Sequence, residues 1–187
     1  MIFTATKLPG AFIIDIERRE DQRGFFARVW CQRELEEHGL VARVAQVNVA
    51  FTPRRGGVRG MHFQLPPAQE VKIVRCTMGA IYDVILDLRP ESPAYRQWIG
   101  VELTADQRRM LYVPEGCAHG YQTLADESEI CYQTSAAYAP ELARGVRYDD
   151  PVFDIVWPLA VTSLSDADRS WPLFATAPVA GTAISGG

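Results

Sequence analysis

Side chains able to do chemistry gather in three stretches of this chain. Arg59-Gly60-Met61-His62-Phe63-Gln64 is followed by Lys72; Pro114-Glu115-Gly116-Cys117-Ala118-His119-Gly120 lies downstream, with Tyr132 beyond it. Imidazole titrates near neutral pH, so His62 suits removal of a proton from a carbon beside a carbonyl. The enolate so formed needs a cation at its oxygen, a role open to the compact ammonium of Lys72. The Tyr132 hydroxyl could return a proton to the opposite face. Base, electrophile and acid on different sides of one carbon make an epimerase.

Each residue also has a plainer explanation. A histidine in a Phe-flanked strand is commonly a satisfied core residue. The context Val71-Lys72-Ile73-Val74 places a lysine where a solvated face is ordinary, and a tyrosine can cap a sheet with its hydroxyl in water. Only the joint pattern favours chemistry.

A metal is not expected. Pro114-x-Gly116-x-x-His119 resembles the second motif of the cupin, a double-stranded β-barrel, but where the first motif would supply His-x-His this chain has His62-Phe63-Gln64. A divalent metal usually takes three good imidazole or carboxylate ligands at about 2 Å. The four cysteines, Cys31, Cys76, Cys117 and Cys131, show no Cys-x-x-Cys spacing and read as small buried hydrophobes.

The elements that must position these groups are strands. Runs rich in Val, Ile, Tyr and Phe recur at Ala11–Ile16, Arg43–Phe51, Glu70–Cys76, Ala80–Leu88, Gln97–Leu103, Arg109–Val113 and Glu129–Thr134. Their spacing of roughly 10 residues, and the alternation along Ile81–Leu88, predict an all-β sandwich or barrel with few helices. One helix is expected over Gln32–His38, stopped by Gly39, with His38 at its exposed end. A shorter helical turn is expected over Ser165–Arg169, capped by Ser165.

With 187 residues, of which 48% are hydrophobic and 22% charged, the chain fits one globular domain, expected over residues 1–174. Residues 175–187 are small, Gly-rich and mostly uncharged, and are expected to be disordered. A net charge of −4 offers no general attraction to nucleic acid or anionic membrane, so any anion must be held by individual arginines. No apolar run approaches the roughly 20 residues that span a bilayer. The N-terminus lacks a signal-peptide layout, so a cytoplasmic location is expected.

The segments Arg59–Gln64, Lys72–Arg75, Leu103–Ala105, Tyr112–Gly120, Tyr138–Glu141, Arg144-Gly145 and Asp149–Pro151 together resemble the dTDP-4-dehydrorhamnose 3,5-epimerase family, over roughly residues 5–174. That resemblance implies a cupin-type jelly roll, a homodimer in which N-terminal strands reach the partner's sheet, and activity without metal or organic cofactor. It implies His62 as base, Asp168 as the acid that orients it, Lys72 as enolate stabiliser and Tyr132 as general acid. Arg23 and Arg59 match pyrophosphate-binding positions; Gln46, Asn48, His119 and Tyr138 match residues that line the nucleotide-sugar pocket. The implied substrate is a nucleoside diphosphate 4-keto-6-deoxyhexose, whose C4 ketone acidifies the hydrogens on C3 and C5.

Departures cluster on the nucleotide side. Arg28 and Ala143 stand where the family usually has glutamates, and Arg19 where it has an aromatic residue. Drift at the pocket rim is one explanation. A base other than thymine is another, since a guanidinium presents paired donors that fit guanine O6 and N7. Inversion of C3 alone, or a GDP- or CDP-linked sugar, are the close alternatives to the 3,5-epimerase reading. A metal-dependent cupin dioxygenase and a non-catalytic sugar-binding cupin are the alternatives of different class.

Overall fold

Alternating side chains build two antiparallel sheets that face each other in the computed structural model, which describes residues 1–174. The expected disorder of residues 175–187 lies outside the described residues. One sheet has six strands in the spatial order β1 (Ile2–Ala5), β2 (Phe12–Asp15), β10 (Met110–Val113), β7 (Lys72–Met78), β12 (Ser128–Thr134) and β5 (Gln46–Thr52). The other has five, in the order β13 (Ala143–Gly145), β6 (Val58–Gln64), β11 (Cys117–Thr123), β8 (Ala80–Asp87) and β9 (Trp98–Thr104). A hairpin of β3 (Arg19–Asp21) and β4 (Gly24–Phe26) stands apart from both sheets. This is the cupin-type jelly roll implied by the motifs.

The period of two sorts side chains into three apolar layers. Between the sheets lie Val74, Cys76, Ile81, Ile85, Leu103 and Ile130. The outer face of the five-stranded sheet buries Met61, Val84, Leu86 and Ala118 beneath Val146 and Phe153. On the six-stranded sheet, Ile14, Ile73, Met110 and Tyr112 are covered by Leu35 of helix α1 (Gln32–Glu37). Full burial of such a side chain is worth about 1.5–3 kcal/mol, so three layers suffice to hold polar groups inside the sandwich.

Both helices fall where the sequence predicts them. Helix α1 ends at His38, after which Gly39 takes a left-handed φ of +69°. His38 is exposed, stacks on Phe3 with ring centroids 4.0 Å apart, and touches the Glu34 carbonyl through Nδ1 at 2.8 Å. Helix α2 (Asp166–Ser170) is capped by Ser165, whose Oγ accepts from the Asp168 amide at 3.0 Å. Among the described residues, no helix is long and apolar enough to cross a membrane.

Cys76 and Cys117 are buried, as their residue type predicts, and burial pushes their thiols up to about 11 and about 12. A thiol held protonated is a poor nucleophile. At pH 8, iodoacetamide is expected to spare both cysteines in the folded protein and to modify them once denaturant is added. Peptide mass mapping checks this, and rapid native labelling of either residue would contradict the burial described.

Candidate active site

Strand β6 turns Met61 and Phe63 outward into the covering layer, so His62 between them faces the space between the sheets. Its cross-strand partner on β11 is His119, flanked by the inward-facing Cys117 and Tyr121. On the opposite sheet, Lys72 shares the inward face of β7 with Val74 and Cys76. Tyr132 and Asn48 pair across β12 and β5 on that same face, next to the pair Thr134 and Gln46. The two sheets thus present an imidazole and an ammonium to one space.

Each inward charge has a partner. His62 Nε2 lies 2.5 Å from Asp168 Oδ1, and the Gly60 amide donates to Asp168 Oδ2 at 3.4 Å. The His62 side chain is 47% exposed whereas Asp168 is 6% exposed, so the imidazole is open to a ligand while its carboxylate is sheltered. Burial opposes ionisation of Asp168, but the hydrogen bond and charge of His62, with the Ser165 and Gly60 contacts, outweigh it and lower the carboxyl below its ordinary value. A carboxylate in that place fixes the ring's orientation and stabilises its cation.

His119 and Asp83 form a second pair at 2.5 Å, fully inside the sandwich. Lys72 is not on a solvated face; it is buried, with Nζ 2.7 Å from Glu70 Oε1. The Tyr132 hydroxyl is half-buried and its pKa is raised, by burial first and by the charge of Glu70 second, against a smaller opposing effect of Arg59. A phenol kept protonated can donate. At the rim, Arg59 is held by Thr52 Oγ1 at 3.1 Å and the Phe51 carbonyl at 3.0 Å. The amide of Tyr138 donates to Gln46 Oε1 at 2.9 Å, which leaves the Tyr138 ring 66% exposed at the entrance.

Sequence reasoning missed Asp83 and Glu70. Both had a signal: Asp83 alternates with Ile81 and Ile85 on one strand face, and Glu70 lies two residues before Lys72. Three of the motif arginines are not brought to His62 within one chain. Arg23 is 86% exposed on the β3–β4 hairpin and paired with Asp21. Arg19 and Arg28 border a depression beside Phe26 and Glu34, and Arg28 Nη1 lies 2.8 Å from Glu34 Oε1. Ala143 sits elsewhere, on β13, opposite Gln64.

The Arg144-Gly145 and Asp149–Pro151 motifs secure the segment that carries Asp168. A Cβ on Gly145 would lie 2.2 Å from Trp171 Nε1, so only glycine lets the indole pack there. Buried Asp150 accepts the Phe174 amide at 2.6 Å. Asp168 is ionised more readily folded than unfolded, so its contribution to stability is present above the ordinary carboxylate range and lost as pH falls through the lowered folded value. Gly145→Ala is expected to lower stability by about 1–3 kcal/mol through overpacking. It should also speed amide exchange at Asp168 more than in β8 or β11. Unchanged exchange at Asp168 with full stability would show that the indole moves aside without disturbing α2.

The sequence matches the family described as dTDP-4-dehydrorhamnose 3,5-epimerase over residues 5–176. A dTDP-4-dehydrorhamnose 3,5-epimerase of Methanothermobacter thermautotrophicus is 39% identical over 180 residues, covering 95% of this chain and 96% of the relative. The crystal structure of the Bacillus anthracis enzyme of that name, with TDP and PPi bound, is 37% identical with a TM-score of 0.88, covering 92% of this chain and 98% of that one. A 3'-monoepimerase of Streptomyces bikiniensis, solved with dTDP-quinovose, is 31% identical with a TM-score of 0.84, covering 91% of this chain and 87% of that one. Fold, motifs and these likenesses agree: the chain belongs to the dTDP-4-dehydrorhamnose 3,5-epimerase family.

Proposed function

We propose that His62 is the base with which this isomerase inverts C3 and C5 of a dTDP-linked 4-keto-6-deoxyhexose. The observation that carries the reading is the exposed His62 ring held at 2.5 Å by a sheltered carboxylate, on the sheet opposite Lys72 and Tyr132. His62 takes the proton beside the C4 ketone while Asp168 stabilises the imidazolium. Lys72 offsets the charge that develops on the ketone oxygen, and Tyr132 returns a proton from the other face. Arg59, Gln46, Asn48, His119 and Tyr138 hold the nucleotide sugar, and the chemistry needs neither metal nor organic cofactor.

The enzyme acts in the cytoplasm as a homodimer in this reading. Strand β5 is the edge of the six-stranded sheet and leaves Val47, Val49 and Phe51 exposed at 57%, 62% and 45%. Covering that stripe with a second copy removes both an apolar patch and an open edge. It also gives the projecting hairpin, with Arg23 and the 68% exposed Phe26, a neighbouring site to reach. The nucleotide in this reading is dTDP, supported by the relatives solved with TDP and with dTDP-quinovose, and Arg28 is paired with Glu34.

His62→Ala is expected to abolish deuterium uptake from heavy water at the carbons beside the ketone, and Asp168→Asn to slow it roughly 10²-fold or more. Tyr132→Phe keeps the ring and removes the hydroxyl, so exchange should persist with little net inversion. Wild-type exchange in His62→Ala would end the assignment of the base. A normal epimer yield from Tyr132→Phe would pass the acid role to another group.

A thermal-shift panel of dTDP, UDP, CDP and GDP tests the nucleotide. A ligand at 100 times its dissociation constant adds about 2.7 kcal/mol, and dTDP is expected to shift the protein most. A larger shift with GDP would instead make Arg19, Arg28 and Ala143 specificity determinants. Restoring Arg28→Glu with Ala143→Glu should then return the preference to dTDP.

A further inference from the structure

The geometry points to Glu70 as the positioning residue that supplies the counter-charge of Lys72 and aims its ammonium at the reacting oxygen; this rests on the reading of Lys72 as enolate stabiliser. Lys72 Nζ and Glu70 Oε1 are 2.7 Å apart with both side chains only 10% exposed. Taking an ammonium out of water without a counter-charge is costly, and the adjacent carboxylate offsets that cost.

Glu70 is itself held. Its Oε2 accepts from Gln64 Nε2 at 3.4 Å, and that same nitrogen donates to the carbonyls of Ala68 at 2.8 Å and Ala137 at 3.2 Å. Gln64 Oε1 accepts the Ala139 amide at 2.6 Å. Gln64 therefore ties Glu70 to the loop that presents Tyr138. One side chain links the cation inside the sandwich to the residue at its entrance.

The charged surroundings identify Glu70 as the counter-ion. Strand β10 offers Lys72 only Val113 as its cross-strand neighbour, and β12 offers Thr134 and, further along, Tyr132. Asp83 on β8 and Asp168 on α2 are each taken, Asp83 by His119 and Asp168 by His62. Arg59 at the rim adds positive charge. Glu70 also acts on Tyr132, where its charge helps keep the phenol protonated. One carboxylate thus faces the electrophile and also acts on the acid.

The test is the pH profile of kcat/KM for solvent deuterium incorporation into a dTDP-linked 4-keto-6-deoxyhexose, for wild type, Glu70→Gln, Glu70→Asp and Lys72→Ala. Glu70→Gln keeps an oxygen for Gln64 and removes the charge. Its alkaline limb is expected to move down by at least about one unit, a tenfold loss at a fixed pH on that limb. Glu70→Asp retains the charge but withdraws it by one methylene. Its limb should stay with wild type while kcat falls. A role confined to packing would lower the rate without moving the limb. A limb in Glu70→Gln that coincides with wild type overturns the proposal. So does a limb in Glu70→Asp displaced by a unit or more, the readout that decides should Glu70→Gln not fold. Lys72→Ala separates the two levels: wild-type kinetics there would remove the enolate role of Lys72, whereas lost activity there with an unmoved Glu70→Gln limb removes only Glu70.

Discussion

Charge inside the sandwich must be buried in pairs. His62 with Asp168, His119 with Asp83, and Lys72 with Glu70 lie between sheets whose remaining inward side chains are largely apolar, and none of these groups could be desolvated alone without losing its charge or costing several kcal/mol. The pairing decides much of the architecture. Asp168 arrives from a helix more than a hundred positions along the chain, and the segment around it is pinned by contacts with no other evident purpose. The Asp83 carboxylate keeps one oxygen, Oδ2, buried without a hydrogen-bond partner.

The pairs differ in exposure, and the difference suits different tasks. His62 is nearly half exposed over a buried acid, so its ring can meet a substrate and still be oriented from behind. His119 is closed in on both sides and can only present an edge. Lys72 and Glu70 are nearly dry, which strengthens any interaction of the ammonium with a developing oxyanion. The His62 ring is thus left open, whereas the Lys72 ammonium is sheltered.

The surface carries the complementary half of the argument. Helix α1 covers one end of the outer face of the six-stranded sheet and leaves β5 and its valines bare. The hairpin that holds Arg23 meets the turn between β9 and β10 through cation–π contacts, Phe25 lying near Arg18 and Arg108 at 4.8 and 4.9 Å. Exposed Phe26 and the open edge of β5 are surfaces of the kind that a two-fold assembly would cover.

Much of this was legible in the residues. Seven strands followed from apolar alternation, and both helices from a C′ glycine and a serine cap. The strands that carry the two histidines were not among those runs. Val58–Gln64 and Cys117–Thr123 hold glycines, glutamine and histidine, and β11 is buried on both faces, so neither shows an amphipathic period. Lys72 looked solvated for the same reason: alternation says that neighbours point oppositely but not which side is water, and that is settled only when the second sheet closes over one face. The partners Asp83 and Glu70 were decided at the same step, since a carboxylate becomes a counter-ion by proximity across strands, which sequence distance does not measure. The sequence by itself determined which chemical groups are present and the period that separates two faces; the tertiary structure alone decided which face is dry, and hence which charges had to find one another.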